Sequence, residues 1–206
     1  MDDWQHLTPS EVVPGRPFTD PAYLREDLRP MLVMAAALRR LLTDPLPEGP
    51  RPTLLWIPQT DRRQHRVAVA NEGPLRAARD LAFVGFFGKK RPGIDATPLT
   101  AADDEMIQDF PAHPGILSYS SLELADGNWA NLILTDPPEA QDEWRDSEKH
   151  AYAVRELAPR HYTVVRLYTG VFPQGLRSGR DPVLLRAKYY DFQRAEPWRA
   201  ERALQP

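Results

Sequence analysis

The sequence of 206 residues contains no cysteine. This absence excludes disulfide bonds, thiolate metal sites and thiol nucleophiles together, because each of them needs a cysteine sulfur. An excess of positive charge is also missing, since 26 Lys and Arg residues against 29 Asp and Glu residues give a formal net charge of −3. Without a broad basic field to attract phosphate groups, we expect neither nucleic acid nor an anionic membrane surface as a partner.

Long hydrophobic runs are missing as well. The longest apolar run extends from Met31 to Leu38 and is far shorter than the ~20 residues of a membrane-spanning helix. The first residues, MDDWQHLTPSEVVPG, carry two acids where a secretory signal has a basic start followed by an apolar stretch. These features predict a protein that is soluble and cytoplasmic.

Proline is abundant, with 22 residues, and its clusters divide the chain because proline continues neither a helix nor a central strand. The resulting segments are an extended arm over 1–20, a helix and hairpin region over 21–80, an α+β domain over 81–192 and a polar, helical tail over 193–206. The order of elements in 21–80 echoes part of the next segment. This region is therefore either a degenerate copy or an unrelated addition.

The clearest pattern lies between residues 81 and 172, where apolar runs alternate with helical patterns. The run LAFVGFF is apolar on both alternating faces, which is typical of a strand covered on two sides. The predicted elements are a strand at 81–88, a helix at 98–110, a hairpin at 116–135, a helix at 137–158 and a strand at 161–172. This order predicts an α+β fold in which helices cover one face of the sheet and a second layer covers the other.

Three short features of this segment carry a resemblance. They are the turn His113-Pro114-Gly115 before the hairpin, a tryptophan in the second helix, and the pattern Trp144-x-x-Ser147-x-x-His150. With them the segment resembles the dimeric α+β barrel superfamily, which comprises ferredoxin-like, antibiotic-biosynthesis-monooxygenase-like domains. The resemblance implies a βαββαβ sheet whose second face is covered by another sheet, either from the partner subunit of a homodimer or from a degenerate N-terminal half.

The resemblance implies several kinds of function, because the superfamily contains cofactor-independent oxygenases, isomerases, haem-binding and haem-degrading proteins, and domains without activity. We expect a small-molecule enzyme, a cofactor-independent monooxygenase or isomerase, that binds a small-molecule ligand. A haem-binding or haem-degrading protein and a non-catalytic dimerising module are the alternatives. No histidine spacing in the sequence is typical of a metal site.

Two residues are candidate catalytic groups. His150 lies at the flank of the apolar stripe of the second helix, where a neutral imidazole would accept a proton or bind haem iron. The alternative is a boundary histidine without a role. Asn131 lies in the middle of an apolar strand, where its amide would orient an enolate or an oxygen molecule. The alternative is a hydrogen bond to a neighbouring loop.

Four further residues are candidate ligand contacts. Trp144 and Tyr119 would form the walls of a pocket for a flat ligand, although a tryptophan between a helix and a sheet most often packs in the core. Trp129 lies at the start of the strand that carries the candidate amide. Arg166 lies in the closing strand and would either bind a ligand carboxylate or pair with Glu123 across the sheet.

Overall fold

The computed structural model describes residues 4–77 and 79–204 and has an α+β architecture, as the sequence predicts. Within these residues nine strands form one sheet, in the order β1-β9-β8-β7-β4-β6-β5-β3-β2. The strands are β1 (Gln5–His6), β2 (Thr53–Trp56), β3 (His65–Val69), β4 (Leu81–Lys90), β5 (Ile116–Glu123), β6 (Trp129–Thr135), β7 (Tyr162–Phe172), β8 (Val183–Asp191) and β9 (Trp198–Ala203).

Helices lie on both faces of the sheet. They are α1 (Ala22–Leu41), α2 (Glu72–Arg76), α3 (Thr97–Gln108), α4 (Ala140–Arg145), α5 (Glu148–Tyr152) and α6 (Ala158–His161), with a π-helical turn, Ala153–Leu157, between α5 and α6. Helix α1 packs on one face, here named the α1 face, and α3 to α6 pack on the opposite face, the α3 face. Over the described part of the chain, no helix combines the length and the apolar character that crossing a membrane requires.

Strand β4 lies at the centre of the segment that the sequence marks most clearly. It pairs antiparallel with β6 on one side and with β7 on the other, and β6 pairs antiparallel with β5. Two glycines allow close packing on both faces of β4. A Cβ atom at Gly85 would collide with Met31 of α1, and one at Gly88 would collide with the ring of Tyr162. The strand is therefore covered on two sides, as its apolar sequence predicts.

Helix α1 is the layer that covers the second face of the central strands. Its side chains Met31, Met34 and Leu38 are fully buried and belong to one cluster with apolar residues of the strands and of the N-terminal arm. The resemblance implied another sheet at this place. The structure differs, because an amphipathic helix of the same chain already buries these side chains.

The remaining strands extend the same sheet at both sides. The hairpin of β2 and β3 joins it through β5, which leaves β2 as the last strand at that edge. On the other side β8 lies between β7 and β9, and β1 adds a short parallel pair to β9.

The prediction of a helical tail after residue 192 is wrong, because residues 198–203 form strand β9. Its Arg202 is fully buried. The guanidinium donates hydrogen bonds to the backbone carbonyl groups of Thr8, Glu11 and Thr19 in the N-terminal arm. A polar residue is buried here because its donors find acceptors that lie far away in the sequence.

Candidate functional site

The apolar layer on the α3 face is divided into two clusters. The first, named the Trp144 cluster, contains Ala68, Met106, Ile107, Phe110, Ile116, Tyr119, Ile133, Trp144 and Ala153. The second, named the Tyr162 cluster, contains Tyr162, Val165 and Phe192, with Phe86, Leu99, Ala158, Leu167 and Tyr190 at its margin. The buried residues of the α1 face instead form one cluster from the arm to the C-terminal strands. The boundary between the first two clusters is where polar groups approach the centre of the sheet.

A π-helical turn spans this boundary. It comprises Ala153–Leu157. Its first residue packs in the Trp144 cluster, and Ala158, directly after the turn, packs at the margin of the Tyr162 cluster. Such turns widen a helix locally and are frequent at functional sites. The helices therefore pass from the Trp144 cluster to the Tyr162 cluster at this turn.

Asp103 of α3 is the central polar group at the boundary. Its Oδ1 atom accepts a hydrogen bond of 2.6 Å from the hydroxyl group of Tyr119, and its carboxylate pairs with the guanidinium of Arg66 on β3. Arg66 also binds Asp104, with 2.5 Å between Nη1 and Oδ1. The side chain of Asp103 is 21% exposed and that of Asp104 is 51% exposed. Asp103 is therefore the shielded member of the pair.

Burial raises the pKa of Asp103, because the loss of hydration outweighs the hydrogen bond from Tyr119 and the positive charge of Arg66. Burial and the nearby Asp103 carboxylate also raise the pKa of Tyr119 and that of Tyr162. The Asp103 carboxylate thus raises the pKa of one tyrosine hydroxyl group in each cluster. Its carboxylate is more basic than an exposed one, which is the property of a general base.

Asn131 of β6 lies on the sheet at the same boundary. Its cross-strand neighbours are Phe86 of β4, at the margin of the Tyr162 cluster, and Ser121 of β5, two residues after Tyr119. The side chain is partly exposed. Among residues 4–77 and 79–204 its amide has no hydrogen-bond partner, so the predicted hydrogen bond to a loop is not found there. The donors and the acceptor of the amide are therefore not used by any other described residue.

The structure brings Tyr119, Asn131 and Trp129 to one face of the sheet. Trp129 is partly exposed and lies opposite Gly88 and Glu123, two residues before the amide. Because side chains alternate along a strand, this spacing places both residues on the α3 face.

Trp144 and His150 lie together in the Trp144 cluster and its margin. The indole of Trp144 is 4.6 Å from the imidazole of His150, 5.9 Å from Phe110 and 6.5 Å from Tyr119, measured between ring centroids. The Nδ1 atom of His150 is 3.2 Å from the carbonyl oxygen of Arg145. Burial lowers the pKa of His150, so the neutral imidazole is favoured. Aromatic side chains therefore fill the space between helix and sheet where the sequence predicts a ligand pocket.

These contacts do not fit haem. Haem needs a flat apolar slot next to the coordinating nitrogen, whereas one side of the His150 ring packs on Trp144 and His150 lines neither of the two cavities described next. Two cavities of the protein lie elsewhere. One of about 150 Å³ lies between Pro52 and Phe110, and one of about 410 Å³ lies at the start of α3. None of the six predicted site residues lines either cavity, but the larger one reaches Asp104, the exposed neighbour of Asp103.

Arg166 is separated from the other candidates, because it lies on the α1 face. Its Nε and Nη2 atoms bind the two carboxylate oxygens of Asp27 at 2.6 and 2.8 Å, and the hydroxyl of Tyr168 donates to the same carboxylate at 2.8 Å. The predicted pairing of Arg166 with Glu123 is wrong. Asp27 of α1 occupies the guanidinium, so this arginine has its carboxylate inside the protein.

Asp103 and Asp27 are the two residues that the sequence reasoning missed. Asp103, Asp104 and Glu105 lie near the start of the predicted helix at 98–110, where acidic side chains are expected to complement the helix dipole. The spacing of Asp103 with Met106, Ile107 and Phe110 nevertheless places all four on one helical stripe, and the last three are buried. A carboxylate on the apolar stripe of a helix is a signal that the sequence does contain.

No protein-family model and no curated protein matches this sequence. Among solved structures, the protein SO0527 from Shewanella oneidensis has a TM-score of 0.40 at 16% identity and covers 46% of this chain and 92% of its own. Rv0793 from Mycobacterium tuberculosis has a TM-score of 0.36 at 28% identity, with 43% and 91% covered. A protein from Lactobacillus acidophilus NCFM, named as a candidate monooxygenase, has a TM-score of 0.38 at 16% identity, with 52% and 50% covered.

Proposed function

We propose that this protein is a small-molecule enzyme that removes a proton from its substrate at the boundary between the Trp144 and Tyr162 clusters. Asp103 is the general base, and Asn131 orients the oxygen on which negative charge develops. The observation that carries the proposal is the placement of a shielded, basic carboxylate where an otherwise apolar layer is divided.

The surroundings of Asp103 support a role as base. The positive charge of Arg66 favours the ionised carboxylate of Asp103, while burial raises its pKa and makes it a better proton acceptor than an exposed acid. Tyr119 donates a hydrogen bond that fixes the orientation of the carboxylate. After proton transfer, the positive charge of Arg66 still has Asp104 as a partner, so the neutral acid leaves no unpaired charge.

Asn131 is proposed to stabilise the negative charge that removal of the proton creates. Removal of a proton next to a carbonyl group places charge on the carbonyl oxygen, and a preorganised amide N–H stabilises such an oxyanion. The side chain has no competing hydrogen bond within the described residues. Trp129 and Phe86, both partly exposed on the same face, provide apolar walls for a flat substrate.

The proposal has two forms, an isomerase and a cofactor-independent monooxygenase. They differ in what happens to the carbanion that removal of the proton from carbon leaves. An isomerase returns the proton to a different carbon, whereas a cofactor-independent monooxygenase passes the electrons to molecular oxygen. Oxygen uptake with an anthrone, an acidic aromatic carbon compound, is expected for the monooxygenase only. Turnover without oxygen uptake is expected for the isomerase.

The base is tested with a nitrobenzisoxazole, because ring opening of this probe needs only removal of one proton from carbon. Asp103→Asn is expected to lower the catalysed rate ~10²-fold or more. The matched control is Glu105→Gln, an exposed carboxylate on the same helix, which is expected to leave the rate unchanged. His150→Ala separates the two candidate bases. A loss with His150→Ala and none with Asp103→Asn would overturn the assignment.

A second candidate function is a non-catalytic dimerising module. The contacts of Trp144 with Phe110, Tyr119 and His150 favour it, because a seam filled by aromatic rings is typical of a structural core. Absence of catalysis with both probes, together with an unchanged Soret band when hemin is added, would support this candidate over the enzyme and over the haem protein.

A further inference from the structure

Strand β2 is an exposed edge of the sheet. Among the described residues it is the last strand in the order and pairs with β3 alone, and its side chains Leu54 and Trp56 are 53% and 62% exposed. Edge strands of soluble proteins usually carry lysine, proline or a bulge that prevents further pairing. The sequence of β2, TLLW, contains none of these. We propose that β2 pairs antiparallel with β2 of a second copy of this chain.

The backbone of β2 leaves its outer hydrogen-bonding groups open. The N–H group of Ile57, directly after the strand, donates to the carbonyl of His65 at 2.8 Å. Because hydrogen-bonded and non-bonded positions alternate in an antiparallel pair, Leu55 directs its backbone groups to β3 as well. The N–H and C=O groups of Leu54 and Trp56 therefore point away from β3, toward the open edge.

A twofold axis at Leu55 satisfies these groups. It places Leu54 of one copy opposite Trp56 of the second copy, and the reverse, so that each pair exchanges both of its backbone hydrogen bonds. The two exposed apolar side chains then cover each other across the strands. Pro52 and Pro58 flank the strand and limit the ladder to this window, because proline has no N–H group to donate.

Charges at the two ends of β2 are complementary under the same symmetry. Exposed Glu48 precedes the strand and exposed Arg62 follows it, and neither has an ion-pair partner among the residues that the structure describes. The twofold axis brings the loop before β2 of one copy next to the loop after β2 of the other. Each acid therefore lies near a base of the other copy, which favours this partner over an unrelated peptide.

The area of contact sets the strength of the pairing. A tryptophan buries about 150–250 Å², so four apolar side chains and their strands reach several hundred Å². This is below the total of about 1,200 Å² that is usual for a stable dimer. The dimer is therefore expected to be weak and to form as protein concentration rises. This interface differs from the sheet-on-sheet contact of the resembled superfamily, which α1 occupies here.

The absence of cysteine from the natural chain provides a direct test of the register. In the proposed pair, the two copies of residue 55 face each other at a non-hydrogen-bonded position, where Cβ atoms are about 4.5–5.5 Å apart. Mild oxidation of Leu55→Cys is expected to give a covalent dimer. Leu54→Cys is the matched control one residue away, and it is expected to remain mostly monomeric because its two copies are offset along the strands.

Sedimentation over a concentration series tests the pairing without a cross-link. Wild-type protein is expected to shift from monomer toward dimer, and Trp56→Ser is expected to raise the dissociation constant ~10-fold or more. Leu185→Ser serves as control, since Leu185 is 42% exposed but lies in the inner strand β8. A protein that stays monomeric throughout, without a cross-link at residue 55, overturns the proposal. Cross-linking at residue 54 but not at 55 overturns the register.

Discussion

The two faces of the sheet carry the same three kinds of side chain in different surroundings. On the α1 face, Arg166 and Tyr168 both bind Asp27. On the α3 face, the corresponding set comprises Arg66, Tyr119 and Asp103. The first set lies within one continuous apolar cluster, and the second lies where the cluster is divided.

The two sets contain the same types of side chain, so residue type alone does not decide whether a set is structural or reactive. Burial and neighbouring groups make the difference. The side chain of Asp27 is 7% exposed and both of its oxygens bind Arg166, so a substrate has little access to it. The two oxygens of Asp103 are also held, one by Tyr119 and one by Arg66. The side chain of Asp103 is nevertheless 21% exposed, and its arginine also binds a second acid. We therefore interpret the first set as a structural lock between α1 and β7, and we propose the second as a reactive site.

The largest loss of stability among these predictions is expected for Asp27→Ala. The change leaves the buried guanidinium of Arg166 without a counter-charge, which costs about 3–5 kcal/mol of the free energy of unfolding. Urea denaturation measures this loss. The matched control is Glu26→Ala, the exposed neighbour on the same helix, for which a change within about 0.5 kcal/mol is expected.

A smaller loss of stability is expected from Asp103→Ala, about 1–2 kcal/mol, because Arg66 keeps Asp104 as its partner and Asp103 is more exposed than Asp27. The same denaturation experiment measures it, and Asp104→Ala provides the comparison at the exposed acid. A loss as large as that of Asp27→Ala would contradict the distinction between lock and site. It would make both sets structural.

An effect that is confined to acidic pH concerns His65, a buried residue of β3. Burial lowers the pKa of His65 from 6.5 to about 4. Between these values the unfolded chain binds the proton and the folded chain does not, so stability is expected to fall as the pH drops from about 6.5 to about 4, by at most about 1.4 kcal/mol per pH unit. His65→Gln should flatten this part of the stability curve. The exposed residue His6 offers the control, and a curve that His65→Gln leaves unchanged would contradict the prediction.

The sequence predicts the strands of the segment 81–172 well, but the single helix predicted at 137–158 is divided into α4, α5, a π-helical turn and α6. The strands are long, apolar and bounded by glycine and proline, so pattern and structure agree at β4 and at the hairpin of β5 and β6. The identity of the second layer could not be predicted in the same way. An apolar face shows that something covers it, but periodicity does not show whether the cover is α1 or a sheet.

The candidate site could be predicted only in part. Asn131, Trp129 and Tyr119 share a face because a strand alternates, and that rule needs no tertiary information. The pairing of Arg166 with Asp27 joins residues far apart in the sequence, and no local pattern reveals such a partner. Asp103 could have been predicted, since its position on the buried stripe of a helix is a local signal in the sequence.

The buried guanidinium of Arg202 has a consequence for the order in which the chain assembles. The carbonyl groups that it binds belong to Thr8, Glu11 and Thr19, which precede it by 183 to 194 residues. Because a ribosome makes the arm before β9, the arm has no place to dock until β9 has been made. Removal of β9 should therefore expose the arm to proteases.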